Sequence, residues 1–314
     1  MYRIGIDLGG TNIAVGLVDE THRIIARCSM PTGADRGVAA VIGDMIHAVD
    51  SVLKDAGFTA ADCSGIGIGS PGTCDSRTGT VIRAYNLNWF HVPVCQILRD
   101  RFGIPVYLSN DANCAALAET VAGAARGVQN MVLITLGTGV GGGIILGGRI
   151  HDGLRSAGGE LGHILLVLDG EPCTCGRRGC WEAYASATAL IRQTQKAALA
   201  NPHSLLARTS PEDMTGRTVF EAADCGDTAA QAVIDRYCEY IAAGFTDIVN
   251  ALAPEMILLG GGISREGERI LQPIREYVAD HCFGQHEGAI PVIAAAQLGS
   301  EAGIIGSAAL CETA

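Results

Sequence analysis

The chain opens on two apolar, β-branched stretches, residues 2–7 (YRIGID) and 13–18 (IAVGLV), separated by Gly9-Gly10-Thr11. That pattern predicts a strand, a tight glycine turn and a second strand. Beyond Thr32 the apolar positions of residues 38–56 fall at helical spacing and stop at Gly57, which predicts a helix with a glycine C-cap. Residues 64–72 (SGIGIGSPG) read as a strand entering a Pro-Gly loop, 94–103 as a helix, 104–110 as a strand and 111–125 as a helix. Residues 131–136 (MVLITL), 137–143 (GTGVGGG) and 144–150 (IILGGRI) then repeat the opening phrase of strand, glycine turn and returning strand. Helical periodicity fills residues 217–252, a strand in EMILLGGGIS breaks at three glycines before another helix, and EAGIIGSAAL closes the chain as a helix.

The repeated phrase implies duplication of one domain type, with a copy in each lobe. An α/β chain of 314 residues has room for two cores. The expected N-terminal lobe is residues 1–115 plus 298–314, the last helix returning to it, and the expected C-terminal lobe is residues 116–297.

Composition narrows the function classes. Apolar residues make up 48% and charged residues 18%, as in an ordinary globular protein. The net charge is −11, and Lys54 and Lys196 are the only lysines, so no basic face is available for nucleic acid. The opening residues do not resemble a signal peptide, and no apolar run approaches the roughly 20 residues needed to cross a bilayer. A cytoplasmic protein with no membrane partner is expected. Most of the 12 cysteines are scattered and fit small thiols in a reducing compartment.

Three cysteines behave differently. His163, Cys173, Cys175 and Cys180 fall in one 18-residue window, enough ligands for a closed Cys₃His zinc site. Four protein ligands leave such an ion no open position, so its role would be structural. Glu160 and Glu182 flank the window, and a closed knot would pin both carboxylates beside one imidazole.

Three glycine-rich turns follow strands: Asp7–Thr11, 136–141 and 259–262. Glycine lets backbone N–H groups approach an anion closely. One such turn proves little, because hairpins use glycine for geometry alone. Two matched turns, the first preceded by an acidic residue, point to a nucleotide clamp. Residues 137–142 satisfy G-x-G-x-x-G, yet a dinucleotide turn must open a helix and this one continues as a strand. Neither lysine follows a glycine turn, so a P-loop is excluded and Mg²⁺ must carry more of the phosphate charge. Asp7 is placed to hold that ion, while Thr11 and Thr138 offer hydroxyls to phosphate oxygens. The competing role for Asp7 is capping its own turn. The pair Asn110-Asp111 sits where a strand meets a helix. It reads either as an N-cap or as the site of a general base that takes a proton from an attacking hydroxyl.

DLGGTN, NDANCAALAE, LGTGVGGG, GGELGH, CTCGRRGCWE and LLGGG occur in the order found in the ROK family of sugar kinases and related repressors, which this chain resembles over residues 3–308. The most specific element is E-x-x-H followed by C-x-C-G-x-x-G-C-x-E. The resemblance implies two ribonuclease H-like lobes of the actin and hexokinase type, with the active site in the interlobe cleft. Because the chain begins at the first phosphate motif, where the repressors carry a DNA-binding domain, it implies the kinase branch. The implied reaction is transfer from Mg-ATP to the 6-hydroxyl of a hexose, glucose foremost, with Asp111 as base. Gly72, Asn86, Asn110, Asp111, Glu160, His163 and Glu182 would then reach the sugar. Asp7, Gly9, Gly10, Thr11, Asn12, Thr138 and Gly139 would serve the phosphates, and Gly261 and Gly262 the nucleoside. Asn12 stands where many relatives have lysine, which removes a possible cation from that motif. ATP and a hexose are the expected partners, in a homodimer or homotetramer. Kinases of N-acetylmannosamine, fructose or allose, and a sugar-sensing regulator without turnover, are the alternatives.

Overall fold

β1 (Tyr2–Leu8) and β2 (Asn12–Val18) form the expected antiparallel hairpin, paired from Arg3 with Val18 to Leu8 with Ile13. β3 (Ile24–Pro31) extends it on the far side of β2. α1 (Val38–Ala56) ends at Gly57, whose φ of 75° is the left-handed cap that glycine tolerates best. β4 (Cys63–Ser70) pairs parallel with β1. Next come a small antiparallel sheet of β5 (Thr73–Asp75), β6 (Thr80–Ala84) and β7 (Trp89–Val92), and then α2 (Val94–Phe102). β8 (Val106–Asn110) pairs parallel with β4, completing a five-stranded sheet of order β3-β2-β1-β4-β8. α3 (Asp111–Val121) starts directly on the last residue of β8.

β9 (Met131–Leu136), β10 (Val140–Leu146) and β11 (Arg149–Ile150) open the second five-stranded sheet. Helices α4 (Glu182–Ala185), α5 (Ala187–Ala200), α6 (Thr218–Asp224) and α7 (Thr228–Leu252) follow, then β12 (Met256–Gly261), α8 (Glu268–His281), β13 (Val292–Ala295) and α9 (Ala302–Thr313). The sheet order is β11-β10-β9-β12-β13. This mixed α/β architecture is a computed structural model that describes residues 1–284, 288 and 290–313. One compact unit comprises Met1–Leu133, Gly143–Gly159 and the stretch from Ala296; the other comprises Ile134–Gly142 and Glu160–Ala295. No helix among the described residues is long and apolar enough to cross a membrane.

In the first unit, Ile4, Ile6, Leu8, Ile13 and Val15 of the sheet share a core with Met45 and Val49 of α1 and with Trp89. α9 packs on β1 and β4. Through Leu310 it is almost wholly apolar, as a buried helix requires, with Ile304, Ile305, Ala308 and Ala309 all buried. The helix approaches so closely that a Cβ at Gly67 would overlap the carbonyl of Ser307. In the second unit α7 buries Ile234, Tyr237, Ile241 and Phe245. Trp181 donates from Nε1 to the carbonyl of Tyr240 at 2.7 Å, and the Tyr237 hydroxyl donates to that of Ala185 at 2.7 Å.

The structure departs from the periodicity in three places. The helix expected over 111–125 stops at Val121, where the buried Glu119 carboxylate accepts the N–H of Ala124 at 2.8 Å and those of Gln297 and Leu298 at 2.9 Å. Glycines 141–143 belong to β10 rather than to a turn; a Cβ at Gly143 would collide with α3 at Ala112 and Ala116. The stretch 217–252 divides into α6 and α7, because Gly226 takes φ 84° and Asp227 caps α7 by accepting the N–H of Ala230 at 2.9 Å.

Candidate functional site

In the first unit β1 delivers Asp7 to the edge of the turn. The turn closes with the N–H of Gly9 donating to the carbonyl of Asn12 at 2.9 Å. Thr32, fully buried, holds it from behind. Its N–H donates to the Thr11 carbonyl at 2.8 Å and its hydroxyl to the Gly9 carbonyl at 2.7 Å. The carbonyls at 9, 11 and 12 are therefore satisfied within the protein, the arrangement a backbone anion cradle requires. Gly10 lies against the Asn86 side chain, so that a Cβ there would be 3.0 Å from Nδ2. Asn110 caps α3, its Oδ1 accepting the N–H groups of Ala112 at 2.9 Å and Asn113 at 3.4 Å, while its Nδ2 donates to the carbonyl of Gly72 at 3.1 Å. The capping reading thus holds for Asn110, and the same side chain fastens the Pro-Gly loop to the helix.

Asp111 is the first residue of α3, where the helix dipole favours a carboxylate, and its Oδ1 accepts the N–H of Ala112 at 2.8 Å. Burial pushes the Asp7 carboxyl up to about 6, and the negative charge of Asp111 adds to the rise. A buried carboxyl whose ionisation is disfavoured beside a second acid is a natural place for a cation.

This shift carries a stability prediction. A carboxyl whose pKa rises from 3.8 to about 6 on folding stabilises the fold fully below the lower value and loses that contribution as pH rises through the upper one. Without Mg²⁺ and nucleotide, Asp7→Asn should therefore raise stability at pH 8 by about 1–3 kcal/mol. That is a gain of a few degrees in Tm, and it should vanish near pH 4. Paired melts at the two pH values check it; a gain that is equal at both, or a loss at pH 8, contradicts the assigned cause.

In the second unit the turn Gly137-Thr138-Gly139 closes through the N–H of Gly137 on the carbonyl of Gly139 at 3.0 Å. The start of α5 holds its other carbonyls. The N–H of Ala187 donates to Gly137 and the Thr188 hydroxyl to Thr138, each at 2.9 Å. Thr188 thus does for the second turn what Thr32 does for the first. Gly261, at φ 85°, lies against Leu136 at the entry to this turn, and Gly262 begins a 3₁₀ turn, Gly262–Glu266.

Glu160, Leu161, Gly162 and His163 form a further 3₁₀ turn, closed by the N–H of His163 on the Glu160 carbonyl at 3.0 Å. Isolated bridges between Leu165 and Cys180 and between Pro172 and Arg178 fold the following loop back on itself. The ligand atoms of His163, Cys173, Cys175 and Cys180 all lie within 4.8 Å of one another. The Cys173 sulfur is 3.7 Å from His163 Nδ1, and the sulfurs of Cys175 and Cys180 are 3.7 Å apart. A tetrahedral zinc with bonds of about 2.3 Å to sulfur and about 2.0–2.1 Å to nitrogen separates its ligands by roughly 3.6–3.8 Å. The four residues fit that ion. Burial and the neighbouring thiols push Cys180 up to about 12, so a compact set of thiolates here calls for a cation. Nδ1 faces the sulfurs, which leaves Nε2 as the ring nitrogen for a second partner.

Glu182, the first residue of α4, reaches both motifs of this unit. Its Oε2 accepts the N–H of Val140 at 3.1 Å, and its Oε1 accepts the Thr174 hydroxyl at 3.0 Å and lies 3.5 Å from the Cys173 sulfur. Each unit thus gathers its own share of the residues selected from the sequence. Asp7, Gly9–Asn12, Gly72, Asn86, Asn110 and Asp111 belong to the first, and Thr138, Gly139, Glu160, the zinc ligands, Glu182, Gly261 and Gly262 to the second. Thr32, Thr174 and Thr188 escaped the sequence reading; single threonines beside a motif carry no pattern of their own.

A family model described as the ROK family matches residues 3–314. A glucokinase of Halalkalibacterium halodurans is 37% identical over 309 residues, covering 97% of this chain and 93% of that protein. A crystal structure of a ROK family glucokinase from Streptomyces griseus in complex with glucose and AMPPNP superposes with a TM-score of 0.82 at 37% identity, covering 100% of both chains. A xylose repressor of Caldicellulosiruptor bescii is 30% identical over 283 residues, covering 89% of this chain and 70% of that protein.

Proposed function

Because the chain belongs to the ROK family, we infer that it is an ATP-dependent glucokinase, forming glucose 6-phosphate and ADP. The observation that carries this reading is its likeness, over nearly the whole length, to glucokinases at 36–37% identity. The two units would be ribonuclease H-like lobes, one supplying Asp7 and Asp111 and the other the knot and the second glycine turn.

In the reaction the glucose 6-hydroxyl attacks the γ-phosphorus. The new O–P bond forms as the bridging P–O bond breaks, and the electron pair leaves on ADP. Asp111 accepts the hydroxyl proton late in the transfer, the general-base task of a carboxylate in phosphoryl transfer. Asn110, Glu160, His163 and Glu182 bind the sugar hydroxyls, for which charged acceptors are the strong partners, with Gly72 and Asn86 completing the contact. Asp7 holds Mg²⁺, Gly9, Gly10, Thr11, Asn12, Thr138 and Gly139 receive the phosphates, and Gly261 and Gly262 flank the nucleoside. His163, Cys173, Cys175 and Cys180 would hold zinc as a structural ion that fixes the imidazole and its neighbouring carboxylates.

The test is an ADP-release assay over glucose, fructose, allose and N-acetylmannosamine, with and without Mg²⁺. Glucose should have the highest kcat/KM, and turnover should require Mg²⁺. A different sugar leading the series would move the chain to another kinase activity. Hexose binding without any ADP release would make it a regulator of the kind the xylose repressor represents.

A further inference from the structure

We propose that Thr174 and Glu182 are positioning residues for the nucleotide phosphates, transmitting the order of the Cys/His knot to the second glycine turn. The proposal rests on the reading that residues 137–139 receive those phosphates. Glu182 bridges two segments that are distant in sequence. Its Oε2 holds the Val140 N–H, immediately after the turn, and its Oε1 holds the Thr174 hydroxyl. The approach is close enough that a Cβ at Gly139 would overlap Oε2, so glycine at that position serves Glu182 as well as the phosphate.

The turn is consequently fixed from two sides. The start of α5 takes its carbonyls through Ala187 and Thr188, and Glu182 takes the N–H that follows it. Thr174 stands between Cys173 and Cys175, two members of the Cys/His cluster, so the place of its hydroxyl is tied to theirs. The two oxygens of a carboxylate side chain can accept several hydrogen bonds between them, and these uses leave room for a sugar hydroxyl on the same group. One side chain can therefore serve both substrates, and the part played through Thr174 concerns the nucleotide.

Thr174→Val removes the hydroxyl with little change in shape, at an exposed position where the fold does not depend on it. Calorimetry with Mg-AMPPNP, which involves no turnover, should show a Kd about five- to tenfold weaker than wild type, the scale of one ordinary hydrogen bond. Glucose affinity should stay within about twofold of wild type and zinc content should be unchanged, with Thr174→Ser restoring nucleotide affinity. An unchanged nucleotide Kd in the valine variant overturns the proposal, as does an equal loss for both substrates. Absence of nucleotide binding in the wild type would instead overturn the kinase reading, and the proposal with it.

Discussion

Asp111→Ala is expected to cut kcat for glucose phosphorylation by at least about 1000-fold, roughly 4 kcal/mol of transition-state stabilisation, while glucose binding changes less than about threefold. The local structure allows so selective an effect. Asn110, not Asp111, caps α3 through its Oδ1, so the helix keeps its N-terminal satisfaction in the variant. Alanine is favourable at a first-turn helix position, and the fold should survive. The removed charge is also one cause of the raised Asp7 carboxyl, so Asp7 should ionise at lower pH in the variant. Steady-state kinetics beside calorimetry of glucose separate the two effects. Retention of more than a tenth of wild-type turnover would show that another group accepts the proton, and parallel losses in kcat and binding would make Asp111 a binding residue only.

Cys175→Ala should release zinc and raise the KM for glucose by about tenfold or more. Cys175 is exposed, so alanine leaves no cavity in a core, and any large effect must come through the metal site. The loss would spread through residues 173–180, which otherwise rest on the Pro172–Arg178 bridge and on turn hydrogen bonds such as Cys173 N–H to the Arg177 carbonyl at 2.9 Å, while Glu171 keeps its ties to the Tyr184 hydroxyl and Lys196. His163 would lose the partner that fixes its tautomer, and with it the fixed ring orientation offered to the sugar. Buried Trp181, next to Cys180, reports on the same event, and its fluorescence should shift to the red as the knot opens. Metal analysis with kinetics provides the check. A metal-free variant with wild-type KM for glucose and an unchanged melting temperature would show the knot to be dispensable.

The sequence made legible what depends on local pattern. The hairpin around Gly9–Thr11, α1 with its Gly57 cap, and the Cys/His window are written in short stretches where periodicity, turn chemistry or ligand spacing suffices. Features set by tertiary contact were hidden. β3 carries the polar residues of an edge strand and alternates half-buried with exposed positions only once β2 is beside it. Glycines 141–143 read as a turn because the need for small residues comes from α3 packed on Gly143, which no local rule conveys. The single threonines behind the turns were invisible for the same reason. Thr32 and Thr188 acquire meaning only from the carbonyls they meet, Gly9 and Thr138. Glu182 was singled out for its spacing from Cys180, whereas its bond to the Val140 N–H, 42 positions away, appears only in three dimensions.

The central claim is phosphoryl transfer from ATP to the 6-hydroxyl of glucose, and phosphorus NMR of the purified protein with Mg-ATP and glucose tests it most directly. A phosphate monoester on the 6-position couples to the two methylene protons with similar constants, so the predicted product is a triplet-like signal growing in step with ADP. Inorganic phosphate as the sole new signal, a doublet from a ring-carbon ester, or no consumption of ATP would contradict it.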